Sequence, residues 1–103
     1  MKLVAVTACP TGIAHTYMAA EQLERVARKL GHSIKVETQG AMGIENELEQ
    51  EEINQAEAVI FAVGITVQKS ERFEGKKVFE FSVQEAIKNA EGIFQKVREE
   101  IGG

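Results

Sequence analysis

The chain contains no aspartate; all sixteen of its acidic residues are glutamate. That removes the aspartate phosphorylated in receiver domains, and with it the aspartate general acids and magnesium ligands on which many phosphate-handling sites depend. Cys9 is the single cysteine. An internal disulfide and any Cys-x-x-Cys redox pair are therefore excluded, and a reducing, cytoplasmic compartment is expected. Proline occurs once, at Pro10, and there is no low-complexity tract. No apolar run approaches the roughly 20 residues of a membrane helix, and the short one at residues 3–8 lacks the design of a signal peptide, so direct membrane insertion is not expected. Twelve basic residues against sixteen acidic ones leave a net charge of −4, which argues against nucleic acid as a partner.

What is present is the alternation of a small α/β protein. At 103 residues the chain has room for one domain, spanning 1–103, and one core. Residues 3–8 and 58–63 are near-continuously apolar, as in strands buried on both faces. Residues 33–38 alternate, with Ile34, Val36 and Thr38 on one face and Ser33, Lys35 and Glu37 on the other. Residues 77–81 carry charge at Lys77 and Glu80. The last two segments read as edge strands. The expected fold is a small three-layer α/β sandwich, Rossmann-like, with a four-stranded parallel sheet of order 2-1-3-4 and right-handed crossovers.

Helical spacing predicts a first helix over 13–30, burying Ala20, Leu23, Val26, Ala27 and Leu30 and stopped by Gly31. Asn46 and Glu49 suit the start of a short helix ending near Asn54. A helical turn is expected at 70–73 within the connection 64–75. Ser82-Val-Gln-Glu85 is a capping box opening a last helix through Val83, Ala86, Ile87, Ala90, Ile93 or Phe94, Val97 and Ile101.

In this topology ligands bind beyond the carboxyl ends of the strands at the point where strand order reverses, here between strands one and three. Cys9 ends strand one. The segment Cys9-Pro10-Thr11-Gly12-Ile13-Ala14-His15-Thr16 then enters the first helix. Helix-initial amides stabilise a thiolate and any phosphate attached to it. The pattern is Cys-x5-His-Thr, whereas thiol phosphatases and arsenate reductases of the low-molecular-weight type have arginine at the position of His15, gripping phosphate with two prongs. Without that arginine, or an aspartate to protonate a leaving group, the loop suits receiving and relaying a phosphoryl group better than hydrolysing an ester.

Other roles compete for the same residues. Cys9 can be a core thiol, His15 a backbone anchor instead of a phosphate contact, and Thr11 and Thr16 turn and cap residues. Gly12 is explained by a backbone torsion or a close approach, and Tyr17 and Met18 by helix packing. The acidic run Glu45, Glu47, Glu49, Glu51 and Glu52 reads as a solvated face with no metal-ligand spacing, and the basic group Lys69, Arg72, Lys76 and Lys77 as solvated surface or a docking contact. No metal and no cofactor is called for, and the 40–43 segment lacks the lysine of a Walker loop.

Cys-Pro-Thr-Gly-Ile-Ala-His-Thr-Tyr-Met-Ala-Ala-Glu, from Cys9 to Glu21, resembles the fructose-specific IIB components of the bacterial phosphoenolpyruvate-dependent sugar phosphotransferase system. The likeness continues at Val36-Glu-Thr-Gln-Gly40, Gly43-Ile-Glu-Asn46 and Arg72-Phe-x-Gly-Lys76, covering essentially the whole chain. It implies that Cys9 takes a phosphoryl group from a phosphohistidine IIA domain and gives it to a sugar, fructose or fructose-like, bound in a membrane IIC transporter. It further implies that Pro10, Thr11, Gly12, Ile13, Ala14, His15 and Thr16 hold the phosphate; Tyr17, Gln39 and Met42 are expected at the rim. The chain departs from the family at Val63-Gly64-Ile65, where members carry an aspartate just after strand three. A IIB-like regulatory module attached to a DNA-binding segment is the remaining alternative, and this sequence shows no such segment.

Overall fold

The computed structural model describes residues 1–9 and 13–102, with the side chain of Ile13 excepted. The loop expected at Pro10, Thr11 and Gly12 lies outside the described residues. Among the described residues five strands form one sheet in the order β3-β2-β1-β4-β5. They are β1 (Lys2–Ala8), β2 (Ser33–Gly40), β3 (Gly43–Glu45), β4 (Ala58–Val63) and β5 (Val78–Phe81). The β2-β1-β4-β5 portion is parallel throughout and is the order expected from the sequence. The helices among the described residues are α1 (Ile13–Lys29), α2 (Gln50–Gln55), α3 (Val83–Lys88) and α4 (Ala90–Ile101), with a 3-10 turn at Ser70–Phe73.

The period-two alternation of β1 sends Leu3 and Ala5 to one core and Val4 and Val6 to the other. The first core, under α1, α3 and α4, holds Leu23, Ile60, Phe94 and Val97. The second, under α2 and the 3-10 turn, holds Leu48, Ile53, Phe61 and Phe73. Because β1 and β4 are buried on both faces, their apolar runs are continuous.

Four expectations need correction. The outer strand β3 was not foreseen: it pairs antiparallel with β2 through Gly40 and Gly43, the latter at φ 85°, so β2 is not an edge. Asn46 adopts a left-handed φ of 54° after β3, and Glu49 is the residue that precedes α2. The predicted last helix is two helices. Asn89, at φ −148°, ends α3 and caps α4, its Oδ1 accepting from Gly92 N–H at 3.2 Å. Asparagine competes with helix by bonding nearby backbone and favours caps, so it interrupts the helix while the apolar spacing carries across the break. At the end of α1, His32 N–H donates to Ala27 O and Gly31 N–H to Arg28 O, a Schellman closure around Gly31 at φ 80° that leaves Leu30 exposed.

Candidate functional site

Cys9 leaves the sheet at the carboxyl end of β1, where Ala8 pairs with Gln39 of β2 on one side and Val63 of β4 on the other. The order reverses here: β2 lies on one flank of β1, and the chain returns on the opposite flank with β4. Gly64 N–H donates to Ala8 O at 2.8 Å, tying the start of the next loop to the residue before the thiol. Helix α1 begins at Ile13, so its first amides lie four residues beyond Cys9. Thr7 Oγ1 donates to Thr16 O at 3.1 Å and pins the first turns of α1 onto the end of β1.

The thiol is less open than a partner-accessible nucleophile suggests: Cys9 is 9 % exposed and belongs to the core under α1. Ala14 and His15 are exposed on the first turn of α1, and Thr16 is buried. Tyr17 and Met42 are 40 % and 67 % exposed, on α1 and at the β2–β3 turn respectively. The Tyr17 hydroxyl donates to Glu45 Oε1, joining α1 to β3. That hydrogen bond, then partial burial and the negative charge of Glu45, hold the phenol pKa above its ordinary value.

Gln39 is a correction. Expected at the rim, it is 1 % exposed and faces inward. Its Nε2 donates to Glu37 Oε2 at 2.6 Å and to Gln68 O at 3.1 Å, while its Oε1 accepts from Gln68 N–H at 2.8 Å. Glu37, placed by its alternation on a polar edge face, is 0 % exposed. Arg72 grips it with two prongs, Nη1 to Oε1 at 2.8 Å and Nη2 to Oε2 at 2.9 Å, and Leu48 N–H adds a third donor at 2.7 Å. The remaining donors of Arg72 go to Lys69 O, Leu48 O and Gln68 O, at 2.8, 2.9 and 3.3 Å. Burial alone pushes the Glu37 carboxyl up, but the hydrogen bonds from Arg72, Leu48 and Gln39 and the charge of Arg72 outweigh it and hold the pKa below the ordinary value.

Arg72 is thus no solvated surface cation, whereas Glu45, Glu47, Glu49 and Glu51 of the acidic run are exposed, as expected of a solvated face. Glu47 pairs with Lys69 at 2.7 Å and Glu52 with Lys35 at 2.9 Å. The sequence segments carrying Glu37, Gln39 and Arg72 were visible, but their meeting was not. A carboxylate at a supposed edge reads as solvated until the outer strand and the 64–75 connection are seen to cover it.

Beside the Cys9 edge a cleft of about 590 Å³ is lined by Phe61, Val63, Ile65, Thr66, Ser70 and Glu80, among others. It offers a carboxylate and no cation, so it does not suit a phosphate. Among the described residues no group of three or more histidine, cysteine or acidic side chains is placed to hold a metal, and no helix is long and apolar enough to cross a membrane.

A family model described as the lactose/cellobiose-specific IIB subunit of the PTS system matches residues 4–96. The fructose-like PTS system EIIBC component of Escherichia coli K12 is 52 % identical over 99 residues, which are 94 % of this chain and 20 % of that protein. The chain therefore spans about a fifth of that relative. The fructose-like EIIB component 1 of the same organism is 48 % identical over 97 % of this chain and 93 % of its own length. Among solved structures, a domain of a fructose-specific IIABC component from Borrelia burgdorferi is 54 % identical, with a TM-score of 0.88 over 92 % of this chain and 90 % of that one. An enzyme IIB subunit of the PTS system from E. coli K12 is 48 % identical, with a TM-score of 0.91 over 98 % and 94 %. With the motif around Cys9, the sheet order and the length of these matches all in agreement, the chain belongs to the IIB family of the PTS system.

Proposed function

We propose that the protein is a single-domain, cytoplasmic phosphocysteine carrier that passes a phosphoryl group from a phosphohistidine IIA domain to a sugar held by a membrane IIC transporter. The observation that carries this is the place of Cys9, at the end of a central strand where strand order reverses and four residues before the start of α1. The Cys9 thiol loses its proton to solvent and the thiolate attacks phosphorus in line; an S–P bond forms, the N–P bond breaks, and the departing donor nitrogen takes up a proton from solvent to leave as imidazole. A sugar hydroxyl then attacks the same phosphorus; an O–P bond forms, the hydroxyl proton passes to solvent, the S–P bond breaks, and the Cys9 thiolate is released. Both steps need positioning and charge stabilisation more than covalent assistance. Pro10, Thr11, Gly12, Ile13, Ala14, His15 and Thr16 are proposed to cradle the phosphate, chiefly with backbone amides at the start of α1.

Hydrolysis is disfavoured by the same chemistry. Each N–H of Arg72 is committed to Glu37 or to a carbonyl, so it cannot take the phosphate-gripping role that His15 leaves unfilled. A fructose-like sugar is favoured by the names of the relatives that match the chain nearly end to end. The EIIBC relative supports a IIC partner. Donor and acceptor must reach one thiol, so their docking surfaces overlap; Tyr17 and Met42, exposed around the Cys9 edge, are proposed at that rim.

The test is to incubate the protein with phosphoenolpyruvate, the two general phosphotransfer proteins and a fructose-type IIA domain, and to record intact mass. One phosphoryl group is expected, absent in Cys9→Ser and discharged by membranes containing the cognate transporter and sugar. Phosphorylation of His15 or His32 in place of Cys9 overturns the mechanism.

A further inference from the structure

The two short sequence segments that hold Glu37 with Gln39 and Arg72 have no part in the phosphate loop, yet the fold brings them together against the next loop along the same sheet edge. That loop, residues 64–69, is held at both ends. At its start Gly64 N–H donates to Ala8 O, one residue before Cys9. At its far end both backbone groups of Gln68 bond the side-chain amide of Gln39. Between these ties Ile65 and Thr66 are exposed and Val67 is buried.

We propose that Gln39 is a positioning residue for phosphoryl transfer: held by Glu37 and Arg72, its amide clamps the 64–69 loop beside Cys9 and so fixes the end of β1 from which the thiol projects. The inference rests on the phosphocarrier reading and extends it to a residue that touches neither phosphate nor sugar.

Three features support a clamp. Gln39 is the sheet neighbour of Ala8, and its side chain holds the far end of the loop whose first residue, Gly64, bonds Ala8 O. Both oxygens of Glu37 are doubly bonded, by Arg72 with Leu48 and by Arg72 with Gln39, which leaves the Gln39 amide one orientation. A fully satisfied buried network of this kind rigidifies what it holds. Lys69, next to Gln68, stands in the left-handed region at φ 58°, a costly conformation for a residue with a side chain. Its carbonyl receives Arg72 Nε at 2.8 Å, so the same network maintains this backbone.

The test measures transfer from a phosphorylated fructose-type IIA domain to Cys9 by rapid quench, in protein shown by circular dichroism to be folded. Gln39→Met keeps the length of the side chain and removes both bonds to Gln68. It should lower the rate at saturating donor about ten- to a hundredfold, as displacements near 1 Å do, and change the half-saturating donor concentration far less. Gln39→Asn, which keeps the amide but withdraws it by one methylene, should lose less and serves if the methionine variant does not fold. Leu23→Ala, a core variant on the buried face of α1, should transfer at the wild-type rate at saturating donor while folded. Wild-type transfer by both Gln39 variants overturns the clamp, as does an equal loss in Leu23→Ala. A wild-type protein that takes no phosphoryl group on Cys9 overturns the carrier function itself, a result distinct from either.

Discussion

Replacing Arg72 by methionine should destabilise the protein more than any substitution of an exposed cation, and a second substitution should partly restore it. In wild type the Glu37 carboxylate is fully buried and carries four hydrogen bonds, two of them from Arg72. Arg72→Met leaves the charge in place with only Leu48 N–H and Gln39 to hold it. Breaking a buried pair from one side costs about 3–5 kcal/mol, and the two surviving donors place this case near the lower end, about 3 kcal/mol. With a urea slope of about 1–2 kcal/mol/M, the midpoint should fall by about 1.5–3 M. The chain has no tryptophan, so far-UV circular dichroism is the natural probe. The double variant Glu37→Met with Arg72→Met should be more stable than Arg72→Met alone, because it removes the stranded charge and leaves only neutral groups to satisfy. Acid gives a further check. The lowered Glu37 pKa means that wild type holds this contribution above the ordinary carboxylate range and loses it as pH falls through the depressed folded value. Without Arg72 only the bonds from Leu48 and Gln39 oppose the burial that pushes the carboxyl up, so its pKa rises relative to wild type. The gap between wild type and Arg72→Met should therefore narrow on acidification. A loss below about 1 kcal/mol at neutral pH, as for a surface pair, refutes the reasoning, and so does a double variant less stable than the single one.

Other outcomes follow from single contacts. Leu23, fully buried on the inner face of α1, should cost about 2–5 kcal/mol as alanine in the same urea titration. Gly92→Ala should destabilise by about 1 kcal/mol although alanine favours helix, because its Cβ would lie 2.4 Å from Asn89 Nδ2 and displace the cap of α4. In an Asn89→Ala background that conflict is gone, and Gly92→Ala should stabilise by about 0.5–1 kcal/mol. Tyr17 is the sole tyrosine, so ultraviolet titration reads it alone; Glu45→Gln should bring its raised pKa down toward the ordinary phenol value, and an unchanged curve refutes the Tyr17–Glu45 link.

The sequence by itself determined the parallel core of the sheet, the reversal of order beside strand one and the candidate nucleophile. These rest on local patterns: two continuous apolar runs, a Gly31 stop, a capping box at Ser82, and a cysteine at a strand end ahead of a helix. The 3-10 turn at Ser70–Phe73 was legible for the same reason. The three-residue strand β3 is too short to show a period, and the break at Asn89 leaves the apolar spacing intact, so neither could be read in advance. Only the tertiary structure decided the fate of Glu37, Gln39 and Arg72. Their partners stand up to 35 positions away, and no window of sequence distinguishes a carboxylate facing water from one facing an arginine across the fold. The same holds at the opening position: Cys9 was legible as a thiol at a strand end, but its burial, and the loop tied to Ala8 beside it, come from packing between segments distant in the chain.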